Sequence, residues 1–144
     1  MNRGKGEPRL SAGAVIVRET AEGCRVLLLR AFDHWDSPKG LVETGESPLE
    51  AARREVAEET LILDLRFPWG ERYIDTGPYG KGSGKIARYY LATTGEVQVF
   101  LPRSSELGRP ENDEYRWVTF EQALNLVSPR VRPVIEWARE VTGC

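Results

Sequence analysis

Three glutamates lie at helical spacing near the middle of the chain: Glu55, Glu58 and Glu59. In an α-helix, side chains three and four residues apart lie on the same face, so we expect these carboxylates to lie close together. They would repel one another unless a cation lay among them. Mg²⁺ prefers oxygen ligands and commonly shares them with substrate phosphates. The spacing suggests a cation site, although glutamates on an exposed helix are more often a solvated face.

The segment that carries these glutamates begins with strong helix signals. Ser47 can cap the first backbone N–H groups, Pro48 suits the first helical position, and Glu50 can complete a capping box. The pattern predicts a helix over residues 48–60. Its apolar face, which we expect to pack on a sheet, comprises Leu49, Ala52, Val56 and Leu63.

The remaining elements mix strands and helices in an irregular order. Strands are predicted over residues 11–18, 25–30, 62–67, 71–76, 86–93, 96–101 and 115–118, and helices over 120–127 and 130–142. Loops are predicted over residues 31–46, with a short extended piece at 41–42, and over 77–84 and 102–113. The order lacks the regular alternation of a doubly wound parallel sheet. We therefore expect an α/β sandwich whose mixed sheet lies between helices.

Length and composition favour one globular, cytoplasmic domain. The 144 residues, 29% of them charged, suit a single domain over 1–144, with residues 1–8 expected to be flexible. The net charge of −2 argues against a protein that coats nucleic acid. No apolar run reaches the roughly 20 residues needed to span a membrane. Cys24 and Cys144 lack metal-type spacing, so we expect two reduced thiols.

The glutamates form part of a longer pattern. It begins at a glycine, continues through a glutamate to an Arg-Glu-apolar-x-Glu-Glu run, and ends at an apolar residue. In this sequence the positions are Gly40, Glu46, Arg54, Glu55, Val56, Glu58, Glu59 and Ile62. The pattern closely resembles the Nudix box, here over residues 40–62.

Leu61 is the one departure, because the box has glycine at that position. Glycine after a helix usually adopts the left-handed conformation of a C-cap. Either a leucine adopts that conformation at a cost on the order of 1 kcal/mol, or the helix ends differently. Since the departure changes no carboxylate, it affects the local turn rather than the predicted metal site.

The resemblance implies both a fold and a metal site. It implies a Nudix-type α/β/α sandwich with a mixed central β-sheet and a Mg²⁺-dependent hydrolase, with Mn²⁺ as a substitute. The implied metal ligands are the Gly40 carbonyl, Glu55, Glu58 and Glu59. Glu46 and Arg54 are implied to support them. A metal-bound water would attack a phosphorus atom.

Two flanking stretches are similar to the asymmetric diadenosine tetraphosphate hydrolase branch of this family. One is His-Trp-x-x-Pro-Lys-Gly, which begins at His34 and includes Lys39. The other is Glu-x-x-x-Tyr-Arg-Trp, which begins at Glu111 and includes Tyr115. The reaction implied for this branch is attack of water on the polyphosphate bridge, giving ATP and AMP.

These stretches and the glycine-rich loop supply candidate substrate contacts. Lys39, Lys81 and Lys85 could hold phosphates, and His34 could hydrogen-bond to the bridge. Tyr79 and Tyr115 could stack on adenine, since aromatic faces accept any base. Glu111 is a candidate general base or further ligand. A plainer interpretation of His34 is an ordinary polar loop residue, and of Lys81 a solvated lysine. The tryptophans are more simply explained by packing in the core.

Other functions within the family remain open. RNA 5′-pyrophosphohydrolases and nucleoside triphosphate pyrophosphohydrolases use the same box, and an inositol polyphosphate is a further candidate substrate. A domain that binds a nucleotide without cutting it is the alternative outside catalysis. We expect a small nucleotide as the partner, with an RNA 5′ end as the alternative, and either a monomer or a homodimer.

Overall fold

A computed structural model describes residues 7–144, which form a seven-stranded sheet and three helices. The strands are β1 (Arg9–Thr20), β2 (Gly23–Ala31), β3 (His34–Asp36), β4 (Lys39–Leu41), β5 (Tyr73–Tyr79), β6 (Lys85–Thr93) and β7 (Glu114–Val118). The helices are α1 (Pro48–Thr60), α2 (Phe120–Leu126) and α3 (Arg132–Thr142). The predicted flexibility of residues 1–8 concerns mostly residues outside the described part of the chain.

The sheet is mixed, as predicted. Its order is β3-β2-β1-β6-β5, with β4 paired to β1 and β7 paired to β2. Strand β1 runs parallel to β6 and antiparallel to β2 and β4. Strand β4 therefore holds the start of the Nudix-like segment at the centre of the sheet.

Side chains of the central strands alternate between two buried layers, because successive strand residues point to opposite faces. On β1, Ala12, Ala14 and Ile16 belong to a core cluster shared with α1. Val15 and Val17 belong to a second cluster shared with α2 and α3. The sheet thus lies between α1 on one face and α2 and α3 on the other, which confirms the expected α/β/α sandwich.

Helix α1 begins and ends as its sequence predicts. Ser47 and Glu50 form both bonds of a capping box. Leu61 forms the C-cap in the left-handed conformation, with φ 60° and ψ 18°. The prediction of its apolar face was wrong at one position, because Leu63 lies beyond the helix and is 81% exposed.

Two predicted strands, 62–67 and 96–101, are absent from the described structure. Only Arg66 and Thr93 pair there, as an isolated bridge. Side chains hold these segments instead, since the Asp64 carboxylate accepts a hydrogen bond from the Gly95 N–H at 3.1 Å. The predicted 77–84 loop is shorter than expected, because β5 continues to Tyr79. The predicted 31–46 loop contains β3 and β4.

The prediction of two reduced cysteines is contradicted, because Cys24 and Cys144 form a disulfide. The bonded residues are 120 positions apart in sequence, yet their Cα atoms lie 6.2 Å apart. The fold brings the end of α3 beside the start of β2, and the separation of the Cα atoms suits a disulfide. Within residues 7–144, no helix combines the length and the apolar character required to cross a membrane.

Candidate active site

Gly40 and Glu55 meet where β4 packs beneath α1. A Cβ atom on residue 40 would overlap the carboxyl group of Glu55. Residue 40 must therefore be glycine if the Glu55 carboxylate is to lie against the backbone of β4. The contact places two of the predicted metal ligands side by side.

Arg54 links the acidic groups around this contact. Its Nε and Nη2 donate to the two carboxylate oxygens of Glu46 at 2.7 and 3.0 Å. Its Nη1 donates to Glu55 at 2.8 Å and to Glu58 at 3.2 Å, and Nη2 donates to the Leu41 carbonyl at 2.9 Å. Hydrogen bonds from Arg54 and from the Glu43 backbone lower the pKa of Glu46. The predicted supporting role of Arg54 and Glu46 agrees with this geometry.

Glu59 is the most buried carboxylate of the set, with 7% of its surface exposed against 9% for Glu55. Its Oε1 accepts a hydrogen bond from Asn112 Nδ2 at 3.1 Å, whereas its Oε2 is buried without a hydrogen-bond partner. Burial, together with the neighbouring Glu55 and Glu111 carboxyl groups, raises the pKa of Glu59 well above its ordinary value. A buried, unpaired carboxylate oxygen is unfavourable unless a cation or a proton satisfies it.

Glu111 is on the surface of the same site. Partial loss of hydration, followed by repulsion from Glu55 and Glu58, raises the pKa of its carboxyl group. A carboxylate with a raised pKa is a better proton acceptor than an ordinary one. Its position is compatible with the predicted role as general base or further ligand.

The donor set suits a hard divalent cation. Within residues 7–144, no three acidic, histidine or cysteine side chains form a ready-made metal cage, and the Arg54 guanidinium contacts both Glu55 and Glu58. Mg²⁺ does not require such a cage, because it usually keeps several waters and shares a few carboxylates with substrate phosphates. The buried, unpaired Oε2 of Glu59 fits a cation at this point.

A cleft of about 960 Å³ opens over these carboxylates. Eight of the predicted site residues line it: Lys39, Gly40, Arg54, Glu55, Glu58, Glu59, Lys85 and Glu111. Glu46 lies outside the lining and acts through Arg54. The other predicted residues do not line the cleft: His34, Tyr79, Lys81 and Tyr115.

The polar residues that line the cleft and that sequence reasoning missed include Ser11, Arg103, Ser104, Ser105 and Asn112. Asn112 follows Glu111 directly, and its position in the second flanking motif was the only available signal. The others belong to β1 or to the 102–113 loop, whose polar composition gave no reason to single them out. Arg103 and Lys85 add cationic charge to a cleft whose floor is acidic.

A second polar cluster lies behind Lys39, around Asp36. The Asp36 carboxylate accepts hydrogen bonds from the Tyr89 hydroxyl at 2.9 Å and from Arg130 Nη2 at 3.1 Å, and Lys39 Nζ is 3.7 Å away. The Arg130 guanidinium carbon also lies 4.0 Å from the centre of the Tyr79 ring. Arg130 is therefore partly buried and paired with Asp36.

The four predicted substrate contacts outside the cleft lie in different surroundings. His34 is exposed at the start of β3, and Lys81 is exposed beyond β5. Tyr115 packs partly against the α1-side core, and one face of Tyr79 is covered by Arg130. Trp35 is 8% exposed, in line with the expected packing role. The substrate contacts of these four residues stay predictions.

Residues 7–138 match the family described as the NUDIX domain. The chain belongs to the Nudix family. The bis(5′-nucleosyl)-tetraphosphatase (asymmetrical) of Caenorhabditis elegans is 33% identical over 120 residues, which is 81% of this chain and 83% of that protein. The Mus musculus protein of the same name is 36% identical over 69% of this chain and 67% of its own length. An RNA pyrophosphohydrolase of Psychrobacter cryohalolentis is 28% identical over 81% of this chain and 74% of that protein.

The fold comparison agrees with the sequence comparison. A crystal structure of a C. elegans Ap4A hydrolase binary complex has a TM-score of 0.78 and 27% identity, covering 94% of this chain and 99% of that chain. The resemblance to the asymmetrical branch is confirmed. This Nudix protein is an enzyme of the pyrophosphohydrolase class.

Proposed function

We propose that this Nudix enzyme is a Mg²⁺-dependent hydrolase that cuts dinucleoside tetraphosphates asymmetrically, giving ATP and AMP from diadenosine tetraphosphate. The observation that carries the proposal is the arrangement of the cleft. There Glu59, whose Oε2 is buried and unpaired, lines the same cleft as Lys39 and Lys85. Oxygen ligands for a cation and positive charges for phosphates therefore occupy one site.

The carboxylates of Glu55, Glu58 and Glu59 and the carbonyl of Gly40 would hold Mg²⁺. The bound ion would neutralise phosphate oxygens and lower the pKa of a coordinated water. Mn²⁺ has similar ligand preferences and is the expected substitute. Arg54, held by Glu46, fixes the direction of the Glu55 and Glu58 side chains.

The remaining residues divide the work of binding and proton transfer. Lys39 and Lys85 act as point charges on the phosphate chain. Glu111 accepts the proton of the attacking water, a role favoured by its raised pKa. His34, Lys81, Tyr79 and Tyr115 do not line the cleft, and we propose that they contact the ends of a long substrate.

A second candidate is removal of pyrophosphate from the 5′ end of RNA, because several relatives are named RNA pyrophosphohydrolases at 26–28% identity. A protein that binds an RNA chain draws much of its affinity from Lys and Arg side chains that contact the phosphates. The chain has 20 Lys and Arg against 22 Asp and Glu, which gives no general basic excess. The dinucleotide therefore remains the preferred substrate.

Turnover of diadenosine tetraphosphate, 5′-triphosphorylated RNA and ATP should be compared with Mg²⁺, with Mn²⁺ and with EDTA in ¹⁸O-labelled water. We expect the dinucleotide to be cleaved fastest, to yield ATP and AMP with ¹⁸O in one product, and to be inert in EDTA. Two molecules of ADP would refute the asymmetric cut. Faster turnover of RNA or ATP would reject the substrate assignment, and undiminished activity in EDTA would reject the metal.

A further inference from the structure

Leu61 places a large apolar side chain where the Nudix box has glycine. It closes α1 in the left-handed conformation, with φ 60° and its N–H donating to the Ala57 carbonyl at 3.0 Å. Its side chain is 53% exposed and lines the cleft. Glycine would adopt this backbone more easily and would expose no apolar surface. The chain therefore carries a strained, exposed leucine beside its carboxylates.

Three further leucines line the same cleft: Leu41, Leu101 and Leu107. The Phe100 N–H donates to the Thr60 carbonyl at 3.1 Å, which holds the segment before Leu101 beside the end of α1. Leu107 is 51% exposed on a turn closed by the bond from the Gly108 N–H to the Ser104 carbonyl. We call Leu61, Leu101 and Leu107 the leucine rim.

The rim shares the cleft with the α1 carboxylates. Leu61 directly follows the last residue of α1, and both Leu61 and Glu58 line the cleft. The cleft thus carries charged groups suited to phosphates and cations, and it also carries exposed aliphatic surface at Leu61 and Leu107. A nucleobase, which is a flat group joined to a phosphate chain through a sugar, fits a cleft that offers both kinds of surface.

We propose that the leucine rim is a subsite for one nucleobase of the substrate, which makes Leu61 a specificity-determining residue. The proposal rests on the proposed function for the identity of the substrate. It explains why the exposed leucine is kept despite its backbone strain, since strained residues concentrate at ligand-binding sites. Isolated exposed leucines are common on protein surfaces, so the subsite requires a direct test.

The test uses Leu61→Ala and Leu61→Gly, which both remove the side chain but differ in backbone strain. The KM for diadenosine tetraphosphate is measured with Mg²⁺, together with the inhibition constant of inorganic tetraphosphate, which has no base. We expect both variants to raise the KM by about five- to tenfold. The inhibition constant should change by less than about twofold, because the phosphate contacts remain. Leu61→Gly should melt about 2–5 °C above Leu61→Ala.

Leu63→Ala is the matched control, because Leu63 is 81% exposed, lies two residues away and does not line the cleft. It should leave both constants unchanged. An unchanged KM in both Leu61 variants, or an equal change in both constants, would overturn the subsite. If the wild-type protein does not cleave the dinucleotide, the proposed function fails. In that case the leucine rim is tested by calorimetric Kd values for diadenosine tetraphosphate and inorganic tetraphosphate. We expect the Leu61 variants to raise the first Kd by about five- to tenfold and to change the second by less than about twofold.

Discussion

The backbone of Gly40 and the carboxyl group of Glu55 lie so close that no side chain fits between them. Gly40 lies on β4 and Glu55 on α1, so this close contact is part of the packing of the helix on the sheet. The Arg54 guanidinium bonds both to Glu55 and to the Leu41 carbonyl on the same strand. Glycine at residue 40 is therefore a requirement of packing as well as a feature of the sequence motif.

Gly40→Ala should displace the Glu55 carboxylate. We expect kcat to fall by about 100-fold, because misplacement of a reactive group by about 1 Å can have that effect. Overpacking should lower the free energy of unfolding by roughly 1–3 kcal/mol. Steady-state kinetics and urea unfolding measure the two effects.

Gly95→Ala is the control for this substitution. An added Cβ there would meet the Asp64 carboxylate oxygen at 3.3 Å, so a small adjustment is enough. Its activity should match that of the wild-type protein. Wild-type kinetics in Gly40→Ala would show that Glu55 does not need its observed position.

Glu59 should make the stability of the metal-free protein depend on pH. Because its folded-state pKa is raised above the ordinary 4.5, its contribution is fully present below that pH and is lost as pH rises through the raised value. The melting temperature in EDTA should therefore decrease as pH increases above 4.5, and the gain from added Mg²⁺ should increase. Thermal melts across pH, with and without Mg²⁺, measure both trends.

Glu59→Gln should remove most of this pH dependence and lower kcat by at least about 100-fold, since a cation ligand is lost. Glu58→Gln should lower kcat similarly but keep the pH dependence, because Glu58 is exposed. Glu140→Gln, on the exposed side of α3, should change neither property. A pH slope that persists in Glu59→Gln would assign the titration to another group.

Arg54→Lys should lower kcat by about 10- to 100-fold, because a residue that orients metal ligands is lost. A single ammonium group cannot bond at once to Glu46, Glu55 and the Leu41 carbonyl, as the planar guanidinium does. The neighbouring Arg53→Lys is the control, since Arg53 is exposed and lies over the Phe67 ring. Comparison of kcat and circular dichroism for the two variants separates orientation from folding. Equal kcat values would contradict the orienting role.

Asp36→Asn should weaken phosphate binding by loosening Lys39, and should leave the partly buried Arg130 without its carboxylate. We expect KM to rise and stability to fall by about 1–3 kcal/mol. Urea unfolding and KM measurements test this. Asp113→Asn removes an exposed pair with Arg30 and should change neither by much. A stable Asp36→Asn protein with unchanged KM would show that the Asp36 cluster does not position Lys39.

Loss of the disulfide should lower stability without lowering activity. Cys24 and Cys144 close a loop of 120 residues, so Cys24→Ser should cost up to about 4–5 kcal/mol in the chain-entropy account. Both cysteines pack against the α2 and α3 core, across the sheet from the carboxylates of α1. Cys144→Ser and the double variant should match Cys24→Ser, because all three lose the same bond. Two free thiols in unreduced wild-type protein would contradict the disulfide.

Local signals in the sequence were sufficient for α1 and for the strands with strong apolar patterns. Ser47, Pro48 and Glu50 determined the start of the helix, because capping depends on residues within one turn. The stretches 62–67 and 96–101 were wrong as strands. Their apolar residues suit a strand, but Asp64 and the bond from the Phe100 N–H to the Thr60 carbonyl hold them in other conformations. Contacts of that kind join residues that are distant in sequence, so a local pattern cannot reveal them.

The sequence by itself determined the Nudix motif, because the spacing of Gly40, Arg54, Glu55, Glu58 and Glu59 follows from the period of one helix and its preceding loop. Only the tertiary structure decided that Asn112 bonds to Glu59 and leaves Oε2 unpaired, that Arg130 pairs with Asp36, and that Cys24 meets Cys144. Each of these pairs joins different parts of the chain, and packing against the shared sheet is what brings them together. The tertiary structure also placed the strained Leu61 within the cleft, where the sequence showed only a departure from a motif.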